Sequence, residues 1–132
     1  MIAIRSFRAE DAPAVAGILR DCNINVPDVQ TLELHLRAAK TLVAEQNGTP
    51  VGFACLSVSF GCTACVTAEL THLCVLPQHR GMGIGRALLT GLENFAAANA
   101  VSSVRASIPE STAPFFGRLG YTVSAAAAVK RI

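Results

Sequence analysis

Three features of the sequence predict an α/β domain in which a mixed sheet carries helices on both faces. Segments with strand and helix periodicity follow one another in the order β-α-α-β-β-β-α-β-α-β, which argues for helices packed on a sheet. Asn47-Gly48 stands between two apolar runs, and this pair is the strongest short hairpin signal because both residues tolerate positive φ. A strand, a glycine cluster and an amphipathic helix then succeed one another without a break. The 132 residues suffice for one sizeable core and fall short of two, so one domain spanning residues 1–132 is expected.

Ile2, Ile4 and Phe7 alternate with polar neighbours as a short strand. Asp11 and Pro13 mark a helix start, since an aspartate accepts from free backbone N–H groups and proline is tolerated in a first turn. Val15, Ile18, Leu19 and Cys22 continue that helix on one face. Residues 23–27 read as a loop, and a second helix over 28–39 carries Val29, Leu32, Leu36 and Ala39 on its apolar side. Strands are expected at 41–46 and 50–60, the second so continuously apolar or small that it belongs in the middle of the sheet. After a turn at 61–65, another apolar strand covers 67–76 and ends at Pro77. Ala87, Leu88, Leu92, Phe95 and Ala96 define a helix reaching Asn99. A strand at 102–108, a short helix at 111–119 with Gly120 as its C-cap, and one or two strand segments in the alanine-rich tail complete the chain.

Composition narrows the function classes. Hydrophobic residues make up 52% of the chain, alanine prominent among them, as in a closely packed globular protein. No apolar run approaches the roughly 18 residues of a membrane span, and the N-terminus lacks the pattern of a secretory signal, so a cytoplasmic protein is expected. A formal charge of +2 with scattered basic residues gives no nucleic-acid footprint. The five cysteines, Cys22, Cys55, Cys62, Cys65 and Cys74, are odd in number, and three lie in apolar stretches, which suits reduced thiols. Cys62 and Cys65 form a lone CxxC with no second pair and no spaced histidine pair to complete four ligands, so no metal site is expected. Nor does the pair open a helix that would lower a thiol pKa for redox work.

The chemistry concentrates between Leu73 and Leu89, where a strand runs through a glycine turn directly into a helix. Backbone N–H groups and the positive end of the helix dipole converge there, and glycines let an anion approach closely. This suits phosphate. The dinucleotide fingerprint does not fit, because its third glycine would fall on Arg86; the P-loop does not fit, because Gly81 is followed by Arg86 and Ala87 where Gly-Lys-Ser/Thr is needed in register.

Arg80-x-x-Gly83-x-Gly85, preceded by an apolar strand ending at Val75 and followed by Arg86-Ala87-Leu88-Leu89, resembles the signature of the GNAT superfamily of N-acetyltransferases. The start of the chain, from Ile4-Arg5 through Glu10-Asp11 to Leu19, is similar to the family's first strand and helix, and residues 113–121 resemble its Phe-Tyr-x-x-x-Gly-Phe segment. The resemblance implies the acyl-CoA N-acyltransferase fold, with a central, mostly antiparallel sheet, and acetyl-coenzyme A as co-substrate. It implies that backbone groups of Leu73, Cys74 and Val75 pair with the pantetheine arm and acetyl carbonyl. It implies too that the N–H groups of Gly81, Met82, Gly83, Ile84, Gly85 and Arg86, behind Arg80, hold the pyrophosphate.

Acetyl transfer to an amine needs an uncharged amine, donors for the tetrahedral oxygen and a proton for the thiolate. A backbone N–H near Cys74 or Val75 suits the oxygen. Glu69 sits where some members of the family carry a base, and His72, expected on the opposite face of the strand, is the second candidate. His79, in the turn, reads as a surface residue beside phosphate. The family's tyrosine acid is matched by Phe116, which has no proton to give, leaving water, Ser111 or Thr112, or an unassisted thiolate whose acid has a pKa of about 8.5. Tyr121 reads as core. The acceptor, a small molecule or a protein amine, would meet the segments 22–28 and 60–66 and the final strands, where Asp28 is the only charge before Lys130 and Arg131. The alternative to an enzyme is a GNAT-like module that binds an acyl-CoA without turnover, and the alanine-rich tail is a candidate pairing edge for a homodimer.

Overall fold

The computed structural model describes residues 2–60, 66–107, 112–124 and 127–132. Seven strands form one sheet: β1 (Ile2–Ser6), β2 (Lys40–Gln46), β3 (Thr49–Phe60), β4 (Val66–Val75), β5 (Ser103–Ser107), β6 (Thr122–Ser124) and β7 (Ala127–Arg131). Their spatial order is β1-β2-β3-β4-β5-β7-β6, and only the β4–β5 pair is parallel. The helices are α1 (Ala12–Asp21), α2 (Val29–Ala38), α3 (Ile84–Ala98) and α4 (Ala113–Arg118).

Strand alternation divides the core into two layers. On β3, Ala54 and Leu56 face α3 together with Leu88, Leu89 and Leu92, all buried. Phe53 and Cys55 face the opposite way, against Val15, Ile18 and Leu19 of α1 and Leu32 and Leu36 of α2. A strand apolar on both sides belongs in the interior of a sheet, and β3 is paired with β2 and β4 along its length. The β2–β3 hairpin turns at Asn47 (φ 51°) and Gly48 (φ 80°), as the Asn-Gly pair predicts.

Several expectations are corrected in detail. The Asp11 side chain does not cap α1; its carboxylate accepts from both terminal nitrogens of Arg5, at 2.8 Å each, and from the Arg8 N–H at 2.7 Å. A single 3-10 turn, Ala9–Asp11, leads into α1 in place of a side-chain cap. Asp28 does cap α2, accepting from the Thr31 N–H at 2.9 Å. At the end of α4 the cap residue is Leu119, and Gly120, with φ 88°, is the left-handed residue that follows it. Within the tail, β7 pairs with β5 on one side and β6 on the other, with Ala128 fully buried, so the edge that the tail supplies is β6, and β1 is the other edge of the sheet. The turn at residues 61–65, with Cys62 and Cys65, lies outside the described residues.

Arg5 joins three elements. Besides Asp11 it donates through Nε to Glu45 on β2 at 2.7 Å, so β1, β2 and the start of α1 share one ion-pair network. Asp11 is 5% exposed, and the Arg5 guanidinium holds its carboxyl below the ordinary value of 3.8. A carboxylate with a depressed folded pKa contributes stability that is present above its unfolded pKa and is lost as pH falls through the folded value. Asp11→Ala is expected to cost about 3 kcal/mol at neutral pH, because Arg5 loses its buried partner. In urea titrations, the gap between variant and wild type should narrow only below pH 3.8; a gap that stays constant into acid would contradict this assignment.

Candidate active site

The site begins where β4 loses a neighbour. The parallel β4–β5 ladder runs from Thr67↔Ser103 to Leu70↔Ala106, and beyond Leu70 β4 has no strand partner on that side among the described residues. On the other side β4 stays paired to β3 as far as Gly52↔Val75. Leu76 N–H donates to Val51 O at 2.9 Å, toward β3, so by strand alternation the backbone of Cys74 also faces β3 and that of Leu73 and Val75 faces the opening. In agreement, the Cys74 carbonyl lies only 3.0 Å from where a Cβ on Gly52 would sit. The backbone groups available to a ligand thus belong to Leu73 and Val75; Cys74 contributes its position and not its amide.

The Val75 carbonyl is already engaged. It accepts from Arg80 Nε at 3.1 Å and from Cys22 Sγ at 3.7 Å, while Arg80 Nη2 lies 3.5 Å from Cys22 Sγ. Arg80 therefore ties the glycine turn to the end of β4 and the end of α1. Its side chain shapes the turn; the turn's amides do the presenting. Gly81 (φ 79°) and Gly83 (φ 80°) are both left-handed, with open space where a Cβ would stand, so conformation rather than crowding selects glycine. Gly83 is the N-cap of α3, and the first helical bond is Ala87 N–H to Gly83 O. Among the described residues, no hydrogen bond uses the N–H groups of residues 81–86.

These groups open into one cavity of about 720 Å³. Of the residues predicted for the cofactor, Leu73, Cys74, Val75, Arg80, Gly81, Gly83, Ile84, Gly85 and Arg86 line it; the Met82 side chain is 56% exposed and does not. The sequence reading missed five contributors: Cys22 and Ile24 at and after the end of α1, and Phe115, Arg118 and Leu119 on and just after α4. Phe115 lies within the quoted C-terminal segment, but its place beside Gly85, 3.5 Å from a Cβ built there, depends on how α4 docks. Thr112 lines the cavity and Ser111 lies outside the described residues.

A second cavity, about 380 Å³, lies beneath α2 and the segment following α1. Leucines 19, 32 and 36 form its apolar wall, and Asn25, His35, Ser57, Thr71 and His72 supply polarity without a carboxylate among the described residues. It meets the first cavity at consecutive residues of β4, His72 and Leu73.

His72 and Glu69 share a face of β4, contrary to the expectation from simple alternation. The β3–β4 register shifts between Cys55↔His72 and Leu56↔Leu70, leaving Thr71 as an extra residue. Such a bulge reverses the parity of the strand beyond it. Glu69 pairs with Ser57 and His72 with Cys55, both on the α1–α2 side. Thr71 Oγ1 donates to Cys55 O at 3.2 Å and closes the bulge. His72 is half-buried with its ring 5.9 Å from that of Phe53, its Nδ1 is buried without a hydrogen-bond partner among the described residues, and desolvation holds its pKa below 6.5. Glu69 is exposed and lines neither cavity.

Burial, then the neighbouring Cys22, pushes the Cys74 thiol up to about 12, so it stays protonated and is a poor nucleophile. Phe116 is buried and edge-on to both Phe115 and Tyr121. Tyr121 is 5% exposed, as its reading as core requires, and its hydroxyl has no hydrogen-bond partner among the described residues. No group of histidine, cysteine, aspartate and glutamate side chains suited to a metal occurs among the described residues.

The profile of the acetyltransferase (GNAT) domain family matches residues 37–123, which contain β2 to β5, the whole glycine turn, α3 and α4. The chain belongs to the GNAT acetyltransferases. Among solved structures, a Trypanosoma brucei acetyltransferase is 21% identical with a TM-score of 0.84, and the alignment covers 95% of each chain. The ribosomal-protein-alanine N-acetyltransferase of Brucella melitensis is 25% identical with a TM-score of 0.77, again over 95% of both chains. The PaiA N-acetyltransferase of Thermoplasma acidophilum, solved in complex with coenzyme A, is 16% identical with a TM-score of 0.80 over 100% of this chain and 99% of that one. The Trypanosoma and Thermoplasma likenesses establish the fold alone. No curated protein matches significantly. In this GNAT protein the mostly antiparallel sheet, helices on both faces and glycine turn are those that the resemblance implied.

A base whose folded pKa is lowered binds its proton more weakly folded than unfolded, so the fold loses stability as pH drops below 6.5 toward the folded value. His72→Gln should remove that component, read as a flatter pH dependence of the urea midpoint between neutrality and mild acid. An NMR titration placing the His72 midpoint at or above 6.5 would contradict the burial argument.

Proposed function

We propose that this protein moves an acetyl group from acetyl-coenzyme A to a primary amine of a small molecule or protein, by direct attack within a ternary complex. The observation that carries this reading is the convergence, in one cavity, of the unpaired β4 edge at Leu73 and Val75 with the unbonded amides of residues 81–86. An extended pantetheine arm can pair with the first as an added strand does, and the pyrophosphate suits the second. Family membership supports the cofactor, and the Thermoplasma neighbour's bound coenzyme A is consistent with it.

Each residue's role follows from its position. The Val75 N–H, facing the opening, is the donor for the acetyl oxygen as negative charge develops. The amine approaches from the second cavity, across the His72–Leu73 step. His72, with an unpartnered ring nitrogen and a pKa held down by burial, is neutral at physiological pH and takes the proton from the ammonium form. Glu69, exposed on the same face, assists through water. The protonated Cys74 thiol argues against a cysteine-bound acetyl intermediate and therefore for direct attack. The leaving thiolate departs with a proton from water or from the hydroxyl of Thr112, which lines the cavity. A cytoplasmic setting is part of this reading, supported by the free thiols of Cys22, Cys55 and Cys74.

One observation favours a second reading, a module that binds an acyl-CoA without turnover. Phe116 fills the position of the family's acid, and the only phenol, Tyr121, is buried away from the cavity.

Gly83→Val strains a left-handed position by roughly 1–2 kcal/mol without a clash, so the variant should fold, while calorimetry shows no heat with acetyl-CoA. Undiminished affinity in the folded variant would remove the proposed cradle. Thiol release over a panel of amines separates the two functional readings, since binding with no turnover on any amine favours the module. For the enzyme, His72→Gln should lower kcat by about 100-fold with the affinity for acetyl-CoA unchanged, and Glu69→Gln should lower it less and chiefly at lower pH. A His72→Gln enzyme with wild-type kcat would eliminate His72 as the base.

A further inference from the structure

The second cavity is lined by neither a carboxylate nor an arginine or lysine among the described residues, and that composition restricts what can enter it. Its wall is built of Leu19, Leu32 and Leu36, none more than 5% exposed. The carboxylates nearest along the chain are engaged or turned away. Asp28 accepts from the Thr31 N–H at 2.9 Å and from its hydroxyl at 2.8 Å, Glu33 pairs with Arg37 at 3.3 Å, and Glu69 is exposed outside the lining. The titratable groups that do line the cavity are His35, which is exposed, and His72, whose charged form is disfavoured by burial.

A second ammonium on the acceptor would therefore enter without a counter-ion and give up its hydration for nothing in return. A carboxylate on the acceptor meets the same penalty, since no cation stands ready to receive it. Among the neutral polar groups, the Thr71 hydroxyl is already committed to the Cys55 carbonyl at 3.2 Å, which leaves Asn25 and Ser57 to orient an amine by hydrogen bonds. At about 380 Å³ the cavity lies near the lower end of the ~300–1,000 Å³ typical of small-molecule sites, so it takes one compact body such as a single ring. We propose that the acceptor is a primary amine carried on one compact apolar group with no second charge, selected against polyamines and free amino acids by the uncharged lining under α2. The inference rests on the acetyl-transfer reading and adds to it the class of acceptor. A free monoamine and the apolar first residue of a peptide present this chemistry alike, and the test separates them.

Thiol release from acetyl-CoA by the intact protein is measured with two pairs of amines: phenethylamine against putrescine, and dipeptide amides beginning with phenylalanine against those beginning with lysine. Within whichever pair is turned over, kcat/KM should favour the apolar member by about tenfold or more, and free phenylalanine should be as poor as putrescine. Ala38→Phe, filling the cavity from an exposed position, should lower kcat/KM for phenethylamine or the phenylalanine dipeptide by about tenfold while sparing methylamine. Ser57→Asp, also at an exposed position of the lining, should shift the ratio of putrescine to phenethylamine rates toward the diamine with affinity for acetyl-CoA unchanged. Equal or reversed preference in the wild type would overturn the acceptor class alone, as would an Ala38→Phe variant that loses all amines in equal measure. Release with no amine at all, while acetyl-CoA binds, would overturn the acetyl-transfer reading and the acceptor class with it.

Discussion

Among the described residues the parallel strands β4 and β5 share a ladder from Thr67 to Leu70, and what β4 exposes beyond it organises the rest of this molecule. A sheet interior does not tolerate unpaired backbone groups, because each carries a desolvation cost. Here the open stretch of β4 faces a cavity rather than the core, and one of its carbonyls, that of Val75, is satisfied by Arg80 and Cys22. The remaining groups are positioned for a ligand by the same open edge that makes room for one. The glycine turn starts where this strand ends, so the helix amides come to the same place by chain continuity.

The bulge at Thr71 makes the second contribution. With one extra residue in β4, Leu70 faces α3 and His72 faces α1 and α2, while Leu73 returns to the α3 side. The linings of the two cavities adjoin at two places, between His72 and Leu73 on β4 and between Ile24 and Asn25 after α1. Without that extra residue, His72 would stand in the α3 layer and Glu69 would be left alone on the α1–α2 side. An apolar wall around His72 explains both its depressed pKa and its unpaired nitrogen, since the leucines of α1 and α2 remove water without supplying a partner.

Charged residues in this chain work mostly at joints. Arg5 links β1, β2 and α1 through Asp11 and Glu45, and Lys130 links β7 to α3 and to the end of α4. Arg80 does the same for the glycine turn. Arg86 and Arg118 have no ion pair among the described residues, as is true of Arg20, Arg105 and Arg131, and differ from those in lining one shared hollow.

Local rules made much of this legible from the residues alone. Asn47-Gly48 fixes a hairpin because both residues accept positive φ, the apolar spacing of Leu88, Leu89 and Leu92 fixes the buried face of α3, and the glycines at 81 and 83 mark the left-handed positions before it. Each depends on interactions within a few residues of chain. Three things were decided by tertiary structure. The bulge at Thr71 depends on register with β3, so the face of His72 could not be counted off the strand. Asp11 looks like a helix cap until Arg5, brought alongside by β1, outcompetes the free N–H groups for its carboxylate. Arg118 joins Arg86 only because α4 docks beside α3, a placement set by burial of Phe116 and Tyr121 with no short-range signature in the sequence. Sequence sets conformation where the controlling contacts are local; the faces, partners and cavities of this protein arise where residues far apart in the chain compete for the same space or the same charge.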